Sequence, residues 1–545
     1  MHAPAGPLRV TPVALLVGCL GLLAGPRLQA QAARVEPRAG LVITSSVRIA
    51  PGTWRLDAPD SPDSALIVVR GDNITVDFGG ATLIGSDPTA DPDAARGVAI
   101  RVEGGRNVRI RGARVRGYRF GILARGTHNL QLIDNDLSYG WKPRLFSLVE
   151  HESLADWLSF HHNDEGEWLR FGAAIYLDGV RGGTIRGNRA VQGMNALLMT
   201  RSDSLLVRDN VFAFNSGLGI GLYRSSHNTI VRNRIDYNVR GYSHGFYRRG
   251  QDSAGILLYE QSTSNVVAFN SATHSGDGLF LWAGQSTMDT GEGGANDNLF
   301  YANDFSFAPT NAMEATFSRN VFLSNRAEGS TYGLWGGYSW ESVIAGNCFA
   351  GNQWGIAIEH GQDNAIVGNL FLGDSAAIRL WANPSQPSDW GYPKHRDTRS
   401  RGYRIEGNVF AGNRVRIDTA ATVDVHVGAN DSTSRVETCD RLPAVPREFA
   451  ALVPNLPGVA RVVPRSPDAR RPRSAIVVDE WGPYDWQSPK LWPVDSTRAV
   501  PLRLAVLGPA GSWRVVERRG VASVSAEAGR TGDTIAVTPH RDSLG

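Results

Sequence analysis

Short apolar runs separated by single polar residues fill the middle of this chain, and the pattern itself recurs. Asn303, Asn325, Asn347 and Asn369 follow one another at steps of 22 residues, and Asn188, Asn210 and Asn233 at 22 and 23. Around each lies one arrangement: an apolar run, Asn, an apolar residue two further on, often a second Asn, then Gly or Ala opening another run. The clearest copies read NVFAFNSGLGIGLYRSSHNTIVRN (210–233) and NCFAGNQWGIAIEHGQDNAIVGN (347–369). A fixed period with short β segments predicts a solenoid. Each coil then contacts only its neighbours, and stacking buries a continuous apolar column. Two or three strands of ~4–5 residues with tight turns fill such a coil, and successive coils pair in parallel ~4.8 Å apart. The six-residue rhythm of left-handed β-helices is absent. Asn tolerates the positive φ of a turn and can bond the next coil through its amide, so the repeat predicts a structural ladder at one corner.

These repeats resemble those of right-handed parallel β-helices of the pectate-lyase-like superfamily, with its carbohydrate-binding and sugar-hydrolase repeats, over about residues 70–430. The resemblance implies an all-β, single-stranded right-handed parallel β-helix. It implies no single reaction. The superfamily holds polysaccharide lyases, glycoside hydrolases, uronate epimerases, esterases, tailspikes, adhesins and a periplasmic copper-site maturation factor, so function has to be argued from a site.

The rest of the chain frames the solenoid. Arg9, the apolar run Val13–Ala24 and small residues at Ala30, Ala32 and Ala33 read as an export signal over residues 1–32. Leu16-Val17-Gly18-Cys19 offers the rival reading, a lipoprotein box with Cys19 as the anchor; either way the protein is expected to be secreted or periplasmic. The β-helix is expected over 33–440, a Pro/Arg-rich linker over 441–474, and a small β-sandwich-like domain over 475–545. Cys348 and Cys439 are the cysteines left after export, so one bridge is open to them but no disulfide framework. The formal charge of +3 points to neither nucleic acid nor an anionic membrane. No stretch outside the signal is long and apolar enough to span a bilayer, and a monomer is expected.

The breaks in the period point to a working face. Extra residues at about 137–171 and 240–253 precede one strand type, the Gly-Ile-x-Leu strand, and those at about 284–295 and 383–399 follow it. Inserts bracketing one sheet face predict a walled groove. Alternation places Tyr176, Asp178, Tyr223, Tyr259, Phe280, Trp282, Glu314, Trp335, Glu359 and Trp381 outward on that face. Rings that stack on sugar C–H faces, together with carboxylates, predict a carbohydrate groove; a second core beneath the inserts is the alternative.

Among the acids, Asp252, Asp277 and Glu314 fall on three successive coils. Coil spacing and offset put Asp252 roughly 8 Å from Asp277, and Asp277 roughly 11 Å from Glu314. Inverting glycosidases hold their carboxyl pair about 6.5–9.5 Å apart. Asp277 and Glu314 are therefore the candidate acid and base, with Asp252 in support. Tyr259, Trp282, Trp335, Tyr223, Glu260, Glu359, His244, Arg249 and His274 are candidate substrate contacts. Arg224, Arg249 and Arg379 could neutralise an acidic sugar. His161-His162 is no metal signature, since adjacent residues on a helix diverge by about 100°, and HExxH is absent. The scarcity of Cys and Met speaks against soft-metal work. No cofactor is expected, unless calcium assists with a uronic polymer. The expected activity is glycoside hydrolysis of a polysaccharide or oligosaccharide by carboxyl acid–base chemistry. A polysaccharide lyase or uronate epimerase is the second alternative, and a non-catalytic surface or periplasmic glycan-binding protein, or a metal-maturation factor, the third.

Overall fold

The structure is a computed structural model that describes residues 32–149, 151–158, 162–241, 252–433, 438–495, 497 and 499–540. Within these residues the chain winds as a right-handed parallel β-helix with three faces. One face is a 15-stranded parallel sheet, a second a 14-stranded parallel sheet, and the third is broken into pieces of three, two and five strands. Ile220, Ile256, Leu279, Met313, Leu334 and Ile356 stack down the interior on the 14-stranded side, and Phe300, Phe322, Phe349, Phe371 and Phe410 fill it from the other faces. Like rings lie on like rings: Phe349–Phe371 and Phe371–Phe410 stack with centroids 5.2 Å apart. A 22-residue period repeats each ring one coil on, so every ring meets its own kind.

The predicted Asn ladder runs between the 15-stranded sheet and the third face. The backbone N–H of Asn303 and its side-chain Nδ2 both donate to Oδ1 of Asn325, each at 3.0 Å, and Nδ2 also donates to the carbonyl of Val267 at 2.9 Å. The same three bonds recur at Asn325, Asn347 and Asn369, ending on Asn408 and Asn430. Two further ladders mark the other corners: Asn228, Asn265, Asn298 and Asn320 on one, Asn215 with Asn238 and Asn352 with Asp374 on the other. All are buried. A buried amide without partners would cost ~1–3 kcal/mol, so the ladder makes each coil depend on the next.

The segment expected as a linker behaves otherwise. Residues 441–474 lie along the solenoid as a strap: Arg404 pairs with Glu448 at 3.1 Å, Arg232 donates to the carbonyl of Val462 at 2.9 Å, and Arg465 pairs with Asp304 at 3.0 Å. Arginines of both partners fasten it: Arg232 and Arg404 from the solenoid, and Arg465 from the strap. Cys348 and Cys439 are bonded to each other and tie the start of the strap to the third face. Beyond it, Ile476 and Val478 pack with Leu145, Tyr237 and Val239 of the solenoid. A four-stranded antiparallel sheet of Lys490–Pro493, Leu502–Leu507, Thr534–Pro539 and Val521–Val524 follows. No helix among the described residues is long and apolar enough to cross a membrane.

Asn325→Ala strips the Oδ1 that two Asn303 donors share and leaves the carbonyl of Phe300 without its amide partner. A loss of about 3 kcal/mol or more is expected, read as a lower urea midpoint, whereas Asn413→Ala, with its single long contact to Asp374 at 3.5 Å, is expected to leave the midpoint nearly unchanged.

Candidate functional site

The first, third and fourth inserts flank the 14-stranded sheet, the second lies mostly outside the described residues, and the outward columns of that sheet carry the chemistry. Its geometry depends on a phase shift at the corner. A Cβ on Gly278 would sit 2.5 Å from the carbonyl oxygen of Ala312 and 2.9 Å from Cβ of the core residue Phe305. Position 278 therefore faces the interior, as does Leu279 beside it. Gly355 repeats this, 2.6 Å from the carbonyl of Ala377. With two successive residues turned inward, the residue before the glycine faces outward. That adds a column the alternation did not reveal: Ala254 pairs with Asp277, and Asn311 with Tyr332 and then Trp354. Asn311, Tyr332 and Trp354 were thus missed; the signal was their place directly before the small corner residue.

The second outward column runs in register through Leu257, Phe280, Glu314, Trp335, Ala357, Arg379 and Asp418. The two columns meet at Asn311. Its backbone N–H donates to Oδ1 of Asp277 at 2.9 Å, and its Nδ2 donates to Oε2 of Glu314 at 2.6 Å. One asparagine thus holds both carboxyl groups. Asp252, in a left-handed turn with φ +58° before strand Ala254–Tyr259, completes the cluster.

Burial dominates the electrostatics of this cluster. It raises the carboxyl of Asp252 to about 6. It raises that of Asp277, where the negative charge of Asp252 adds to the effect and the Asn311 donors oppose it. Glu314 is raised well above the ordinary glutamate value: burial leads, and repulsion from Asp277 and Asp252 adds to it. Three carboxyls this close cannot all ionise cheaply, so one keeps its proton near neutral pH.

Downstream of the carboxyls lies an aromatic floor. Tyr332 stacks on Trp354 at 4.8 Å, Trp335 lies 5.1 Å from Tyr332 and 5.5 Å from Trp381, and Arg379 sits 5.0 Å over Trp381. All are partly exposed. The third and fourth inserts close over the far strand ends, where Met288, Phe317, Tyr338 and Tyr392 pack together with Trp282 at their edge.

Several expected contacts are placed elsewhere. Tyr223 and Tyr259 are not open stacking rings. They are 1% and 2% exposed beneath the first insert, with Trp168 at 5.4 and 6.4 Å, so on these coils the covered-core alternative holds. Glu260 is buried at the far strand end and accepts from Ser286 of the third insert and from Arg224. Arg224 is engaged there and with Asp164 at 2.7 Å. His274 is buried away from the groove: its ring stacks on Tyr237 at 4.4 Å and its Nε2 donates to the carbonyl of Arg471 in the strap. Burial lowers its pKa to about 4, which keeps it neutral. Glu359, in register with Trp381, accepts from the side chain of Asn383 in the fourth insert. His244 and Arg249 lie outside the described residues. Trp282 and Trp335 stay partly exposed on the groove side. A cavity of about 630 Å³ on the third face holds Glu328 and Asp440, but both are engaged by Arg326.

Set against known proteins, the chain matches the family described as periplasmic copper-binding protein (NosD) over residues 63–306 and 294–431. No curated protein matches it. Among solved structures it is similar to the periplasmic alginate epimerase AlgG (12% identity, 72% of this chain and 76% of that one, TM-score 0.33). It is also similar to DFA-IIIase from Arthrobacter chlorophenolicus A6 in complex with GF2 (13%, 63% and 84%, 0.36) and to the Azotobacter vinelandii mannuronan C-5 epimerase AlgE6 A-module (11%, 72% and 90%, 0.38). The family description names copper. Among the described residues no group of three or more His, Cys, Asp or Glu is arranged to hold a metal. The two described cysteines are bonded to each other, and Met194, Met199, Met288 and Met313 are buried in apolar clusters. The described donor set does not fit a resident copper ion.

The raised carboxyls carry a stability consequence. The folded protein holds these protons more tightly than the unfolded chain, so their contribution is most favourable below the unfolded values of 3.8 and 4.5 and declines as pH rises through the folded ones. Glu314→Gln keeps an Asn311 partner and removes the charge. Its melting temperature is expected to exceed the parent's at pH 8 and to match it at pH 4.

Proposed function

We propose that this chain, which belongs to the NosD family of periplasmic copper-binding proteins, is a carbohydrate-active enzyme that hydrolyses a glycosidic bond in the groove of the 14-stranded sheet. The observation that carries the reading is the pair Asp277 and Glu314 held by Asn311, with the charge of Asp252 acting on both, at the head of an aromatic floor. Glu314 is the general acid. Its proton is retained near neutral pH, and transfer to the leaving oxygen relieves the charge building up there. Asp277, held by the Asn311 N–H, is the carboxylate that takes a proton from the attacking water. Asp252 tunes both through its charge. Trp335, Trp354 and Trp381 offer ring faces to sugars, and Asn311 keeps donor and acceptor in fixed relation.

A uronate lyase or epimerase is the second reading, and Arg379 on the groove floor favours it, since its guanidinium could neutralise an acidic sugar. Against it, three carboxyls at the reacting centre repel an anionic substrate unless a divalent cation such as calcium intervenes. A screen against neutral and uronic polysaccharides separates the readings. New reducing ends without an ultraviolet-absorbing product, and with full activity in EDTA, are expected. Unsaturated ends or a calcium requirement would move the assignment to a lyase, a changed C5 configuration of the uronates by NMR without new ends to an epimerase, and binding with none of these would leave a glycan-binding protein.

Asp277→Asn and Glu314→Gln are each expected to lower kcat by at least ~10²-fold, the usual worth of one positioned proton transfer, with glycan binding retained. The kcat/KM profile of the parent is expected to be bell-shaped, its acid limb from Asp277 and its alkaline limb from Glu314; in Glu314→Gln the alkaline limb disappears. Full activity in both variants would defeat the assignment.

A further inference from the structure

The groove is closed at one end and open at the other. On the coils up to and including that of Asp252, the outward residues Tyr176, Leu198, Tyr223, Leu257 and Tyr259 are all buried. The first insert covers them with Leu158, Trp168 and Phe171. It is fastened there by polar bonds as well: Arg224 to Asp164 at 2.7 Å, Arg201 to the carbonyl of Asn163 at 3.0 Å, and Arg240 to the carbonyl of Asp156 at 2.6 Å. A roof whose underside is a dry core and whose rim is ion-paired is a wall.

On the coils that follow the cluster nothing comparable among the described residues covers the sheet. Tyr332, Trp335, Trp354, Arg379 and Trp381 all keep partial exposure, and the last strand of this sheet, Val415–Ala420, is largely exposed. The register places Leu257 two coils before Glu314 and Arg379 three coils after it. At ~4.8 Å per coil the wall stands ~10 Å upstream of the carboxyl group, whereas the floor continues at least ~14 Å downstream. One coil, that of Asp277, Phe280 and Trp282, lies between the wall and Glu314.

We infer that this is an end-on cleft: the protein takes the terminus of a linear glycan, seats the last one or few units between Trp168 and Glu314, and lays the rest along Trp335, Trp354 and Trp381. The inference rests on the hydrolase reading above and adds what that reading leaves open, namely that cleavage is exo. The substrate class is a linear chain with a free end, and a short saccharide is the product from the first turnover.

The test uses the full chain and the polysaccharide that responds in the screen. Product sizes are followed from the earliest times, together with solution viscosity. Short saccharides of one size, with viscosity nearly constant while reducing ends accumulate, are expected. A rapid fall in viscosity with a spread of intermediate fragments would overturn the exo inference while leaving hydrolysis standing. A second measurement works without turnover. Glu314→Gln is titrated with an oligosaccharide and with the long polymer of the same sugar. For an end-on cleft the half-saturation points coincide when expressed as moles of chain ends. If they coincide instead per mass of glycan, the groove is open through and the inference falls. If no glycan of the screen is cut or bound, both the hydrolase reading and the cleft inference fall together.

Discussion

Everything in this molecule depends on a buried amide finding its partner one coil away. From Asn303 to Asn369 each buried asparagine of the main ladder donates twice to the Oδ1 of the next and once to a carbonyl behind it. Buried polar groups are tolerated only when satisfied, so a coil is stable in this register and no other. The register fixes the outward columns. It brings Ala254, Asp277 and Asn311 onto one line and Phe280, Glu314 and Trp335 onto the neighbouring one. The catalytic proposal is thus a consequence of the ladder, although no ladder residue takes part in it.

The inserts work against the same background. Because the ladder and the stacked core do not require insert residues, long excursions are admitted at the two edges of one sheet without disturbing the repeat. The first has become a roof with its own apolar core around Trp168, while the third and fourth pack on each other over the far strand ends. One scaffold face is thereby divided into a sealed part and an open part. The acids sit at the boundary, where desolvation is strong enough to hold a proton and exposure is still sufficient for a substrate to reach it.

The strap shows how charge reads differently in a chain and in a fold. Arginines between prolines look like a solvated tether. Here they are distributed so that Arg465 meets Asp304 and the carbonyl of Arg471 meets His274, with the Cys348–Cys439 bond fixing the near end. His274 looked like a groove residue by its closeness to Asp277 in sequence. Three residues of separation at a corner are enough to turn a side chain onto another face.

The sequence alone determined the architecture, because a period of 22 with an asparagine in each copy leaves few ways to satisfy both the apolar residues and the amides. It also determined which sheet bears the inserts and that Asp252, Asp277 and Glu314 fall on consecutive coils of it, since these follow from counting. Tertiary structure decided what counting cannot reach. Whether Tyr223 and Tyr259 are open or roofed depends on where an irregular insert folds back, and no periodicity governs an insert. The doubled inward step at Gly278, which brings Asn311, Tyr332 and Trp354 outward, follows from the close approach of a carbonyl on the next coil. The protonation of the carboxyls was likewise decided by the fold, because desolvation and mutual repulsion exist only once three separate coils have been stacked.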